Sequence, residues 1–176
     1  MKRAIKRMAI FSALSAIAIA PLALSAGAAS AKPTGMDGSY VGAGLAAGLT
    51  NGGQQGDAAN LGGNIQGRFD IENAPVSLRG SVLFSGETSA IMPIVSYDVP
   101  IAEKTNLYAG AGYSFVETEG QPTPLGNRNA AVLTVGVERE VIDRLVLYSD
   151  TKLGISAYED SPASALSFQF GAGYRF

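Results

Sequence analysis

Alternation constrains this chain more than any other feature. In the segment from Leu166 to Phe176, every second side chain is apolar or aromatic: Leu166, Phe168, Phe170, Ala172, Tyr174 and Phe176. Between them stand Ser167, Gln169, Gly171, Gly173 and Arg175, all small or polar. A period of two gives a β-strand with two unlike faces. At about 3.3 Å per residue and a tilt of about 45°, such a strand rises about 25 Å, the height of the apolar band around a transmembrane barrel. A free edge of bulky apolar residues invites aggregation unless another strand covers it. The first strand is the cover the pattern offers, and pairing first with last closes a barrel.

The same period recurs along the chain. It predicts strands over about 39–50, 61–71, 76–85, 90–99, 106–116, 130–139, 145–156 and 166–176. In the first, Val41, Ala43, Leu45, Ala47 and Leu49 oppose Gly42, Gly44 and Gly48. In the second, Leu61, Ile65, Phe69 and Ile71 oppose Asn64, Gln66, Arg68 and Asp70. The connections alternate in bulk. Segments 51–60 and 117–129 are long, whereas 72–75, 100–105 and 140–144 are compact turns, so one end carries most of the loop mass. The expected fold is all-β: a closed eight-stranded antiparallel transmembrane barrel with up-and-down connections. Pro93 falls inside the fourth strand and cannot donate to a ladder, which predicts a bulge near Met92 and Pro93 or a shifted strand end.

The start of the chain has a different character. Lys2, Arg3, Lys6 and Arg7 precede an apolar run from Met8 to Leu24, broken by Pro21. Small residues follow, and Ala29-Ser30-Ala31 fits a cleavage site, with Ala26-Gly27-Ala28 competing. Residues 1–31 are therefore expected to be a cleaved signal peptide, with the barrel domain over 32–176. Removing the leader takes four basic residues away and leaves an acidic remainder, with no nucleic-acid footprint. Cysteine and histidine are both absent.

Alternation does not by itself say which face is inside. A soluble lipocalin-like barrel also alternates, with its apolar face inward. Three features favour a membrane. The polar face is mostly Gly, Ser, Thr and Asn, and only 16% of the chain is charged, against about a quarter to a third of a soluble surface. Charges on that face balance: Arg68, Arg79, Lys152 and Arg175 against Asp70, Asp98, Glu138 and Asp150. A closed interior needs such pairing. Apolar-face aromatics gather at strand ends, with Phe69, Tyr97, Tyr174 and Phe176 at the turn end and Phe84, Tyr113 and Phe115 at the loop end. Two aromatic girdles suit two membrane interfaces.

With these residues laid out, the mature chain resembles the small eight-stranded outer-membrane barrels of the OmpA/OmpX-like family. The resemblance rests on the leader, the alternating strands, Ser39-Tyr40-Val41-Gly42-Ala43-Gly44 and the terminal Tyr174-Arg175-Phe176. It implies residence in the outer membrane of a Gram-negative-type envelope as a monomer among phospholipid and lipopolysaccharide. It also implies that Phe170, Tyr174 and Phe176 form the signal read by the barrel assembly machinery. The chain ends at the barrel, so peptidoglycan tethering is not carried over.

Enzymes of this envelope built on barrels resemble one another in relying on a histidine, which this chain lacks. No Ser-His-Asp triad or His/Cys metal cluster can form, and no cofactor is expected. The eight luminal charges allow two readings, a structural lattice filling the core or a salt-bridge gate on an ion path. The outer loops carry Asp57, Glu87, Glu117, Glu119, Glu159 and Asp160 against Arg128. They suit either a solvated acidic surface or cation bridging to lipopolysaccharide. The expected function is a non-enzymatic structural or surface-interaction barrel with a plugged interior. A narrow pore and a soluble periplasmic ligand-binding barrel are the alternatives.

Overall fold

The computed structural model describes residues 34–52, 60–86 and 88–176. The expected signal peptide lies outside the described residues. Eight strands run in chain order: β1 Tyr40–Gly48, β2 Leu61–Asp70, β3 Val76–Phe84, β4 Ser89–Ala102, β5 Thr105–Val116, β6 Ala130–Ile142, β7 Leu145–Ile155 and β8 Ala165–Arg175. Each pairs antiparallel with the next, and β1 pairs with β8 from Tyr40↔Arg175 to Gly48↔Ser167, closing the barrel.

The alternation settles on one face assignment. Val41, Leu45, Ile65, Leu78, Val95, Leu133, Leu147, Phe168 and Phe170 are exposed on the outside, while Asn64, Gln66, Arg68, Arg79, Ser96, Thr134 and Gln169 are buried inside. The apolar face points outward, the opposite of a lipocalin-like barrel. The seven aromatics expected at the strand ends are all exposed, from Phe84 at 41% to Phe176 at 71%.

Aromatic rings cover glycines on neighbouring strands. Tyr148 faces Gly171 across the β7–β8 ladder, Tyr108 faces Gly136 across β5–β6, and Phe84 faces Gly63 across β2–β3. At all three glycines, the ring is the first or second thing a Cβ would strike. The missing side chain is the space the ring fills.

Pro93 does not make the bulge its chemistry suggests. Gly80↔Pro93 continues the β3–β4 register, while the β4–β5 ladder lapses at Met92 and Pro93 and resumes unshifted from Ile91↔Phe115 to Ile94↔Gly112. The missing N–H falls on the β5 side, where losing the local bond costs less than bending the strand. The true shifts sit beside the turns, between Pro100 and Ala102 and between Glu140 and Ile142. There Lys104 (φ 55°) and Arg144 (φ 64°) take left-handed positions of the kind that close three-residue hairpins with a bulge. Both strands run past their expected ends. This places Arg139 on the outer face within β6 and Glu140 inside the barrel.

The lumen is not uniformly polar. Toward the loop end, Ala46, Leu83, Met92, Ile94, Ala130, Val132 and Ala165 form an apolar cluster, into which Leu125, Ala157 and Tyr158 reach from the outer loops. The 117–129 loop is folded over the mouth, with Thr123 and Leu125 buried. Asn60 Nδ2 and Ser85 Oγ both donate to the Pro122 carbonyl, at 3.2 and 2.8 Å. Tyr158 Oη donates to the Thr50 carbonyl, and burial raises the pKa of that hydroxyl.

Candidate functional site

Below the apolar storey, polar side chains from all eight strands converge. Asp98 on β4 receives both arginines, each by two routes. Arg79 Nη2 lies 3.0 Å from Oδ1, and Arg79 Nε donates to Ser96 Oγ at 2.8 Å, which in turn donates to Oδ1 at 3.0 Å. Arg68 Nη2 lies 3.0 Å from Oδ2, and Arg68 Nε donates at 2.9 Å to Ser77 Oγ, which donates to Oδ2. The inward parity of β2, β3 and β4 aims all five side chains at one level.

Glu138 on β6 stands opposite, with no exposed surface. Arg79 binds it with both terminal nitrogens, at 2.8 Å to Oε2 and 3.1 Å to Oε1. Arg68 Nε lies 3.4 Å away, and Tyr40 Oη donates at 3.1 Å. The Arg79 guanidinium also lies over the Tyr108 ring at 3.6 Å, a cation–π contact strengthened by burial. Asp70 joins at the rim, 2.7 Å from Arg68 Nη2.

Asp150 and Lys152 form a second group, 2.5 Å apart, with Lys152 Nζ also donating to Gln169 Oε1 at 2.6 Å. Tyr108 Oη donates to Asp150 Oδ2 at 2.9 Å, and Gln66 Nε2 reaches Tyr40 Oη at 3.1 Å. Tyrosine and glutamine thus join the two charge groups into one network. Bidentate geometry and satisfied lone pairs are the conditions under which buried ions offset their desolvation.

Seven of the eight expected luminal charges therefore meet in this network. Arg175 does not. Its Nη2 pairs at 3.0 Å with Glu140 at the turn-end rim, where the arginine side chain is 30% exposed. Ending β6 at Arg139 hides Glu140 from a sequence reading. Tyr40 is the other residue missed, though it shares parity with Gly42 and Gly44 and so had to point inward. Phe170, Tyr174 and Phe176 lie on the outer face. Of the acidic loop residues, Glu117 accepts from Ser89 Oγ at 2.9 Å and Glu119 from Asn129 Nδ2; Asp57 and Glu87 lie outside the described residues. Among the described residues, no His, Cys, Asp or Glu group converges as a metal site.

The family model for the outer membrane protein beta-barrel domain matches residues 13–176. Among solved structures, the chain is similar to Ail, the attachment invasion locus protein of Yersinia pestis. The TM-score is 0.52 at 19% identity, over 80% of this chain and all of that one. It is also similar to Neisserial surface protein A, with a TM-score of 0.51 at 16% identity over 80% of this chain and 98% of that one. A de novo designed transmembrane β-barrel gives 0.57 at 10% identity, over 83% and 98%. No curated protein matches the sequence. The outward apolar face and the family match set aside the soluble periplasmic alternative. The chain belongs to the outer membrane protein beta-barrel domain family, as a small eight-stranded barrel of the OmpA/OmpX-like kind resident in the bacterial outer membrane.

Proposed function

We propose that this protein is a non-enzymatic barrel with a structural and surface-interaction role, holding its lumen closed and presenting its first and third outer loops to the exterior. The luminal network carries this reading. A pore needs a hydrated path past Arg79 and Glu138, yet Tyr40, Tyr108, Glu138, Lys152 and Gln169 are all fully buried there. The apolar storey around Met92 and Leu125 stands above them. A salt-bridge gate would also have to break several charge-assisted bonds at once, each stronger than a neutral one.

Phospholipid and lipopolysaccharide are the proposed partners of the outer face. Arg139, outward and near the turn end beside Leu147 in the β6–β7 register, is long enough to extend its guanidinium toward headgroups. Phe170, Tyr174 and Phe176 are proposed as the signal for the barrel assembly machinery, with the protein acting as a monomer.

Planar-bilayer recording tests the closed lumen. Wild-type protein is expected to give no steady current. A persistent current that changes in Arg79→Ala or Glu138→Ala would overturn the reading in favour of a narrow pore.

A further inference from the structure

Ahead of β1, residues 34–39 turn into the turn-end mouth of the lumen, and the barrel grips them by their backbone. Asn106 on β5 pairs with a single residue as a neighbouring strand would. Met36 N donates to Asn106 Oδ1 at 3.0 Å, and Asn106 Nδ2 donates to the Met36 carbonyl at 2.6 Å. Arg68 Nη1 donates to the carbonyls of Met36 and Gly38, at 3.2 and 3.0 Å. Gly38 N donates to Asp70 Oδ2 at 3.2 Å. The Met36 side chain is buried against Tyr40, Val146 and Tyr148.

The local sequence is shaped to this seat. Gly35 (φ 66°) and Gly38 (φ 88°) flank Met36 and Asp37 in left-handed positions that other residues occupy only with strain. A Cβ at Gly35 would also stand 2.8 Å from Pro100 Cβ. Asp37 is exposed, so the methionine goes in and the carboxylate stays out. Main-chain hydrogen bonds for affinity and a pocket for one side chain are the physics of peptide recognition.

We infer that the turn-end mouth is a peptide-binding site, formed by Asn106, Arg68 and Asp70 around an apolar pocket, and that residues 35–38 are its tethered ligand. The ligand class is a short turned peptide with an unbranched apolar side chain between glycines. The tether supplies a high effective concentration, so the site stays filled without tight intrinsic affinity. Whether the lumen conducts does not enter the inference.

The chain has no cysteine, so Val146→Cys gives a single reporter inside the pocket. In protein purified from outer membranes into detergent, a membrane-impermeant maleimide is expected to label this reporter slowly. Deleting residues 34–38 should accelerate labelling at least about tenfold, because the pocket then opens without unfolding. The free peptide Thr-Gly-Met-Asp-Gly-Ser at millimolar concentration should restore slow labelling, and the same peptide with Asp for Met should not. Fast labelling of the undeleted chain, unchanged labelling after deletion, or no protection by the methionine peptide would each overturn the inference. If the deletion yields no heat-modifiable barrel, Met36→Asp in the full chain takes its place. Fast labelling is then expected, and slow labelling refutes.

Discussion

Neutralising Glu138 should cost this barrel more than any other conservative change inside it. Glu138→Gln keeps shape and volume but removes the charge that Arg79 meets at 2.8 Å and Arg68 at 3.4 Å. With charge centres about 4 Å apart and an effective dielectric of about 20, one such pair is worth about 4 kcal/mol before desolvation. Sparing the carboxylate its burial returns part of that. The new amide, however, turns two N–H donors toward guanidinium donors. Breaking a buried pair by removing one partner costs about 3–5 kcal/mol, and the retained carbonyl acceptor places Glu138→Gln near 3 on that scale. Against a total stability of about 5–15 kcal/mol, this is a large fraction. The double variant Arg79→Met with Glu138→Leu should be milder than the sum of its singles, with a coupling of about 2–3 kcal/mol, because Arg68 then keeps Asp98 and Asp70 to itself. Tryptophan is absent, so urea unfolding in lipid vesicles is best followed by heat-modifiable gel migration. A loss below about 1 kcal/mol in Glu138→Gln, within the range of an exposed pair, would refute the reasoning. Additive singles in the double variant would refute it as well.

Two further outcomes follow from the ends of the barrel. Lys104→Gly should stabilise by about 1 kcal/mol in the same assay by relieving a left-handed lysine; its long 3.8 Å contact with Glu140 is a small loss, because Glu140 keeps Arg175 at 3.0 Å. Burial raises Tyr158 above the ordinary tyrosine value of 10.0, so its docking is complete below about pH 10 and is lost as pH rises through the higher folded value. A fluorescent label at Asp160→Cys should gain mobility across that alkaline step, and Tyr158→Phe should abolish the step.

Much of the barrel is legible in its sequence because a two-faced strand writes its two solvents into alternate residues. Val41 to Leu49 and Leu61 to Ile71 show this plainly. The pattern fails where both sides of a strand are apolar. Ile91-Met92-Pro93-Ile94-Val95 has no parity to read, so the apolar storey formed by Met92, Ile94, Leu83 and Val132 is hidden. Lattice membership was readable from charge and parity, whereas its wiring through Ser77, Ser96 and Tyr108 depends on which levels the registers bring together. Glu140 was obscured by a bulge that lets β6 outrun its expected end. Leu125 and Met36 sit in segments without periodicity. Only the flanking glycines and prolines hint that those segments are held, and such residues mark exposed turns just as often.

The luminal network also bears on how the barrel can form. Its arginines sit on β2 and β3, the Asp98 and Glu138 carboxylates that hold them on β4 and β6, the Asp150–Lys152 pair on β7, and Tyr40 contributes from β1. A half-inserted sheet of the early strands holds Arg68 and Arg79 but lacks Glu138. While such a sheet remains open, those cations still have water on the unfinished side. Water leaves only when the later strands curl round and the β1–β8 seam closes. The interior therefore acts as a checkpoint on completion: an incomplete barrel keeps hydrated charge on its concave side, and sealing the seam early would strand it. This favours a late, nearly all-or-none closing step over gradual drying.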